Sequence, residues 1–246
     1  MKRAWLILRS AILWVLSGVH FFLAVPLLIF LALFFDPLRH DWPQRTFCRT
    51  IALLAGARVR AERSPGFDPS RSAFFIVNHV NLFDPFMLYC AIPQIVRGWE
   101  LESHFKIPVY GWLMRRFGNV PVPDVRRPAD LKRLWRLTRE AFDRGISLIV
   151  FPEGSRTRDG RVGPFEEGVF RMAVQLGIPI VPVSVAGSFQ HHRTGHWMLW
   201  PATITVHLHD MIETNGMTKD EVRALGERVR GIVAGPVEVF LEKPRP

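Results

Sequence analysis

The chain of 246 residues, 48% of them hydrophobic, has the length for one α/β domain with a buried core and not for two large ones. Its two cysteines, Cys48 and Cys90, stand without metal-ligand spacing, which excludes a disulfide scaffold and suits a reducing compartment. A formal net charge of +10 admits nucleic acid, an anionic membrane surface or phosphorylated small molecules as partners, and composition does not choose among these.

The N-terminal segment does choose. Residues 10–35 contain no Asp, Glu, Lys or Arg. That run exceeds the ~20 apolar residues needed to cross a bilayer and the ~7–15 of a signal-peptide core. It has no polar face and no small-x-small cleavage pattern behind it, so it reads as a permanent membrane anchor. Lys2, Arg3 and Arg9 precede it, and Arg39, Arg45 and Arg49 follow it. Basic flanks mark the cytoplasmic side, and here both flanks are basic. Two short helices bent near Gly18 or Pro26 account for this better than one tilted span. The expected division is residues 1–50 as anchor and connection, and residues 51–246 as the α/β domain.

Beyond the anchor, residues 36–50 read as a polar connection and residues 49–55 as a short helix ended by Gly56. Residues 57–61 alternate with period two, as a half-exposed strand does. Residues 63–71 are turn material. Residues 73–77 form a short continuous apolar run, the pattern of a strand buried on both faces, and residues 146–151 and 178–183 repeat it. The clearest helix spans residues 128–144, with Leu131, Leu134, Trp135, Ala141 and Phe142 on one face and Gly145 behind it. A second helix is expected over residues 167–176, closed by Gly177. Residues 203–208 alternate like a strand. Thr218 and Glu221 form a capping box for a helix carrying Val222, Leu225, Val229, Ile232 and Val233. Alternating strand and helix patterns predict an α/β fold: a mostly parallel or mixed sheet flanked by helices, behind a hydrophobic N-terminal helix or helix pair.

Two motifs carry chemistry. Asn78-His79-Val80-Asn81-Leu82-Phe83-Asp84 follows a buried strand, where α/β proteins gather ligand-handling groups. A neutral His79 can take a proton from an attacking hydroxyl, and Asp84 can hold the other ring N–H and stabilise the imidazolium. The same residues admit a plainer account: Asp84 as N-cap with Pro85 at the first helical position, and Asn78 and Asn81 satisfying turn backbone. Downstream, Phe151-Pro152-Glu153-Gly154-Ser155-Arg156-Thr157 ends another apolar strand. Gly154 lets backbone N–H groups approach an anion, and Arg156 offers a fork that pairs with phosphate. Glu153 would orient that arginine or bind a substrate hydroxyl. A turn with a surface arginine is the alternative. His191, His192 and His196 lack a Cys or carboxylate at ligand spacing and read as a polar loop, not a metal site.

The H-x4-D run, the F-P-E-G-(S/T)-R run and Ile178-Pro179-Ile180-Val181-Pro182-Val183, in that order, resemble the lysophosphatidate (1-acyl-sn-glycerol-3-phosphate) acyltransferase family. Lys106-Ile107-Pro108-Val109-Tyr110-Gly111 resembles the start of the family's remaining block, whose basic residue would be Arg126 or Arg127. The resemblance implies His79 as base, Asp84 as its partner, and Glu153, Gly154, Arg156 and Arg126 as glycerophosphate binders. It implies a membrane-bound enzyme, in a bacterium at the inner membrane with its catalytic domain on the cytoplasmic side. The donor would be acyl-CoA or acyl-carrier protein, the acceptor a lysophospholipid; no metal, cofactor or nucleic acid is implied. Two positions depart from the pattern. Glu166 and Glu167 stand where the family often has a lysine after the phenylalanine, which keeps glycerol 3-phosphate or lyso-ornithine lipid open as acceptors. Asn81 stands where serine is common. The rival from another class is a non-catalytic basic protein that binds anionic membranes.

Overall fold

The computed structural model describes residues 2–125 and 127–242. Its centre is one seven-stranded sheet: β1 (Ala57–Arg63), β2 (Phe74–Val77), β3 (Val96–Leu101), β4 (Val120–Val122), β5 (Ser147–Val150), β6 (Ile180–Ala186) and β7 (Ala202–Leu208). The strand order is β1-β7-β6-β2-β5-β3-β4, parallel at every junction except β6–β7. The mixed sheet flanked by helices is the predicted fold class. Because β2, β3, β5 and β6 run the same way, the loops that follow them leave from one edge of the sheet, and both motifs lie in those loops.

The period-two geometry of β2 explains why it reads as continuously apolar. Phe74 and Ile76 enter one core while Phe75 and Val77 enter the other. The first core is closed by α5 (Pro128–Asp143), α6 (Gly168–Leu176) and α8 (Val222–Leu241), through Leu134, Phe170, Val229 and Val233. The second is closed by α2 (Trp42–Leu54) and α3 (Asp84–Ala91), through Ile51, Met87 and Leu88. Each of these fully buried side chains contributes about 1.5–3 kcal/mol of transfer free energy. The Thr218–Glu221 capping box forms as predicted, on a short 3-10 turn that leads into α8.

The N-terminal segment differs from expectation. A single helix, α1 (Lys2–Leu31), runs unbroken through both Gly18 and Pro26. The expected bend is absent because tertiary contacts hold the far half: Val25, Leu28 and Ala32 pack on Leu113 and Phe117. The near half is tied by polar contacts. Arg9 Nη1 donates to Leu199 O (2.5 Å), Ser10 Oγ accepts from Leu199 N (3.0 Å), and Trp14 Nε1 donates to Trp197 O (2.6 Å). At the other end, Arg116 Nη2 donates to Ala32 O (2.7 Å) and Phe35 O (3.1 Å). α1 is therefore fastened to the body at both ends. The expected connection over residues 36–50 is also mostly helix, since α2 starts at Trp42 with Pro43 in its first turn and buries Cys48, Ile51 and Ala52 at helical spacing.

Among the elements the sequence does not signal are β3, β4 and α4 (Tyr110–Arg116). β3 reads Val-Arg-Gly-Trp-Glu-Leu, which hides a strand, because Arg97 is fully buried. Its guanidinium donates to the carbonyls of Val96 (2.6 Å), Phe117 and Pro37, which ties β3 to the anchor connection. The segment before α4 makes a tight turn at Val109 (φ +66°), where Tyr110 N donates to Pro108 O at 2.7 Å. Gly111 is required there: a Cβ would lie 2.0 Å from Phe105 O.

Candidate active site

His79 lies two residues past β2, and Asp84 opens α3. His79 Nδ1 and Asp84 Oδ2 are 2.9 Å apart; the imidazole is 20% exposed and the carboxylate fully buried. The ring N–H on Nδ1 donates to the carboxylate, which leaves Nε2 as the basic nitrogen. Asp84 is not an N-cap. Its carboxylate turns back to accept Val80 N (2.7 Å) and Asn81 N (2.8 Å), so the loop between base and acid wraps around the acid itself. The ring of Phe151, the first residue of the second motif, covers one imidazole face, with centroids 4.1 Å apart and 25° between planes.

Glu153 faces the histidine loop, not Arg156. Its Oε1 accepts His79 N (2.7 Å) and its Oε2 accepts Gly163 N (2.8 Å). Burial pushes its carboxyl up from the usual range, opposed by those two N–H bonds. A further bond, Thr157 N to His79 O at 3.0 Å, joins the two motif loops. Gly154 takes the left-handed conformation (φ +67°) in open space. Arg156 is exposed and has no hydrogen-bond or ion partner among the described residues; after burial, its charge holds down the ionisation of nearby His192. The side chains of Arg158 and Arg161 are likewise exposed and without a partner among the described residues. Arg126 lies outside the described residues; Arg127 precedes α5.

The backbone N–H groups beside His79 are all occupied, since those of His79, Val80 and Asn81 serve the two carboxylates. Gly154 N donates to Phe151 O (3.1 Å), which leaves the N–H groups of Ser155 and Arg156 as the open donors of that turn. Two of the three clustered histidines are not surface groups. His191 is fully buried, donates Nδ1 to Trp200 O (2.7 Å) and meets Phe83 edge-on, as His192 does from another side. Asn78 exchanges hydrogen bonds with Val185 N (2.8 Å) and O (3.3 Å), which extends the β2–β6 pairing past the end of β2. Ser188, at the start of α7 (Ser188–His191), reaches Asp84 from the other side, a contact that no sequence spacing signalled.

A family model described as Acyltransferase matches residues 58–186, just over half of the chain, and takes in both motifs. The chain belongs to the acyltransferase family. Among named relatives it is 36% identical over 124 residues to the 1-acyl-sn-glycerol-3-phosphate acyltransferase BAT2 of Brassica napus, covering 49% of this chain and 35% of that one. It is 23% identical over 250 residues to the 1-acyl-sn-glycerol-3-phosphate acyltransferase of Pseudomonas aeruginosa, covering 98% of this chain and 93% of that one. The chain spans between about a third and three fifths of the length of several plant relatives it matches. The crystal structure of the 1-acyl-sn-glycerophosphate acyltransferase PlsC from Thermotoga maritima shares the fold across the full length of both chains, with a TM-score of 0.76 at 22% identity.

Proposed function

We propose that this acyltransferase moves an acyl chain from acyl-CoA or acyl-carrier protein to the free hydroxyl of 1-acyl-sn-glycerol 3-phosphate, giving phosphatidic acid. The observation that carries the reading is the His79–Asp84 pair: a ring N–H held by a buried carboxylate, with Nε2 left basic. As the acceptor oxygen attacks the thioester carbonyl carbon, its proton passes to His79 Nε2. The C–S bond then breaks, and the imidazolium returns the proton to the departing thiolate. The substrate hydroxyl is itself the nucleophile, so no acyl-enzyme forms. The open N–H groups of Ser155 and Arg156 are the donors available to the tetrahedral oxyanion.

Arg156 is the acceptor-side group, because it is an unpaired cation on the loop bonded to His79. Arg126 and Gly154 belong with it on the family resemblance. Glu153 is better read as the clamp between the two loops than as a phosphate-site residue. Of the two acidic departures, Glu167 does not oppose an anionic acceptor: it precedes α6 and faces Arg171 (3.6 Å), one turn along that helix. Membrane attachment is supported by α1, the one helix among the described residues long and apolar enough to cross a bilayer. Since α1 is fastened at both ends, it rests against the membrane beside the body more readily than it projects through it. Trp5, Leu8, Phe22, Phe30 and Phe34 supply an exposed apolar face for that contact.

The test is release of free thiol from acyl-CoA against a panel of lysophosphatidate, glycerol 3-phosphate, lyso-ornithine lipid and no acceptor. Release that depends on lysophosphatidate supports the reading. Equal release with and without acceptors would sink the transferase assignment, and preference for another acceptor would move the substrate.

A further inference from the structure

We propose that Ser188, held by Asn81, is a positioning residue for the His79–Asp84 pair: its hydroxyl fixes the orientation and basicity of the Asp84 carboxylate. This rests on the reading of His79 as general base.

A fully buried carboxylate needs donors on both oxygens, because each unfilled lone pair costs desolvation that nothing returns. Oδ2 of Asp84 receives three: His79 Nδ1, Val80 N and Asn81 N, all from its own loop. Oδ1 receives one, from Ser188 Oγ. That single donor comes from a different part of the chain, the first residue of α7. The direction of the hydroxyl proton follows from its neighbours. Asn81 Nδ2 donates to Ser188 Oγ (2.5 Å) and to Ser188 O (2.9 Å), so the Ser188 proton is left for Asp84. Asn81 Oδ1 is in turn fixed by Phe83 N (2.6 Å). The amide thus has one permitted orientation, and the chain Asn81–Ser188–Asp84–His79 is polarised toward the imidazole.

Two further observations show that the site is built for this contact. Ser188 and Asn81 are both fully buried. Gly187, just before Ser188, adopts φ +92°, and a Cβ there would lie 2.5 Å from Thr203 O, so the turn that presents the serine admits only glycine. The asparagine departure also acquires a purpose. A serine at position 81 would have one proton and a shorter reach, and would not serve both Ser188 oxygens.

The hydroxyl bond spreads the Asp84 charge away from the imidazole. Removing it concentrates that charge on the ring N–H and favours the imidazolium. A buried serine that merely fills space would have no such effect on titration. The experiment compares the full chain in detergent with Ser188→Ala and Ser188→Thr variants. Ser188→Ala should lower kcat about tenfold, leave both KM values within about twofold, and move the acidic limb of the kcat profile to higher pH. Ser188→Thr, which keeps the hydroxyl, should recover most of kcat and restore the limb. An unmoved limb in Ser188→Ala, or a loss confined to KM, overturns the proposal. If Ser188→Ala does not fold, Asn81→Ala releases the serine proton from its fixed direction, and the same displaced limb is expected. The His79 Nδ1 proton resonance, assigned with His79→Gln, serves as a readout independent of turnover: it should move in Ser188→Ala. An inactive wild type with a displaced resonance would sink the reaction and keep the positioning role; a fixed resonance would sink the positioning role alone.

Discussion

The two motif loops leave the same edge of the sheet and are bonded to each other, yet they are built in opposite ways. In the His79–Asp84 loop nearly every polar group has a partner inside the protein. Asp84 takes four donors, the N–H groups of His79, Val80 and Asn81 are all used, and Phe151 covers one ring face. Past Glu153, the second loop exposes Arg156, Arg158 and Arg161 without ion partners among the described residues and opens two backbone N–H groups at a left-handed glycine. On the proposed reading, the rigid loop holds a geometry fixed before substrate arrives, which lowers the reorganisation needed in the transition state, and the open loop leaves its charges for the ligand. The boundary falls inside one tetrapeptide: Glu153 belongs to the rigid side and Arg156 to the open one.

The largest expected effect is on the rigid side. His79→Ala should reduce kcat by about 10³ while leaving acceptor KM nearly unchanged, because proton transfer is lost and binding is not. Near wild-type turnover from purified His79→Ala would end the assignment. Next comes the residue at the boundary. Glu153→Gln puts an NH2 group against the N–H of either His79 or Gly163, so it should loosen the histidine loop and lower kcat about 30-fold with little change in acceptor KM. A rise in acceptor KM without loss of kcat would return Glu153 to the binding side and erase the division.

The open side gives a different signature. Arg156→Ala should raise KM for the phosphorylated acceptor about 30-fold and leave donor KM within about twofold, the size expected for a lost charge-assisted hydrogen bond. Because the guanidinium is exposed, acceptor KM in the wild type should also climb with ionic strength, and less steeply in the variant. A matching rise in donor KM would show that Arg156 handles the thioester instead.

The rigid loop was the more legible of the two, for a physical reason. A histidine and an aspartate five residues apart, with Pro85 behind them, fix each other locally, so spacing alone suggested the pair. What closes the pair is non-local and left no spacing to read: Ser188 is separated from Asp84 by four strands of the chain, and Glu153 arrives from β5. Closeness in sequence predicts that Glu153 orients Arg156 or binds a substrate hydroxyl. The fold turns the two side chains apart, since Gly154 reverses the backbone between them. The sheet centre was legible because strands buried on both faces are apolar throughout; β3 was not, because its buried Arg97 is satisfied by carbonyls and no carboxylate in the sequence signals it. The bend expected in the anchor failed because Pro26 removes one ladder bond while Leu113 and Phe117 hold the turns around it.

The smallest expected effect tests whether the rigid loop depends on what lies behind it. His191 backs Phe83, and its Nε2 is buried without a partner, so burial pushes its ionisation down to about 4 from an ordinary 6.5. The unfolded chain takes a proton as pH falls through 6.5 and the folded chain resists until near 4, so the stability present above 6.5 is progressively lost in acid. Between pH 7 and pH 5 this amounts to about 2 kcal/mol at most. His191→Asn keeps a donor toward Trp200 O and removes the titration. Wild type should therefore lose several degrees more of thermal midpoint than the variant across that interval, at about 2–4 °C per kcal/mol for a chain of this size. Parallel curves would mean that His191 is hydrated, and that the reacting loop is backed less firmly than its contacts indicate. Divergent curves, with acceptor KM holding steady in both proteins as pH falls, would place the acid-sensitive element behind His79 and leave the arginine loop untouched.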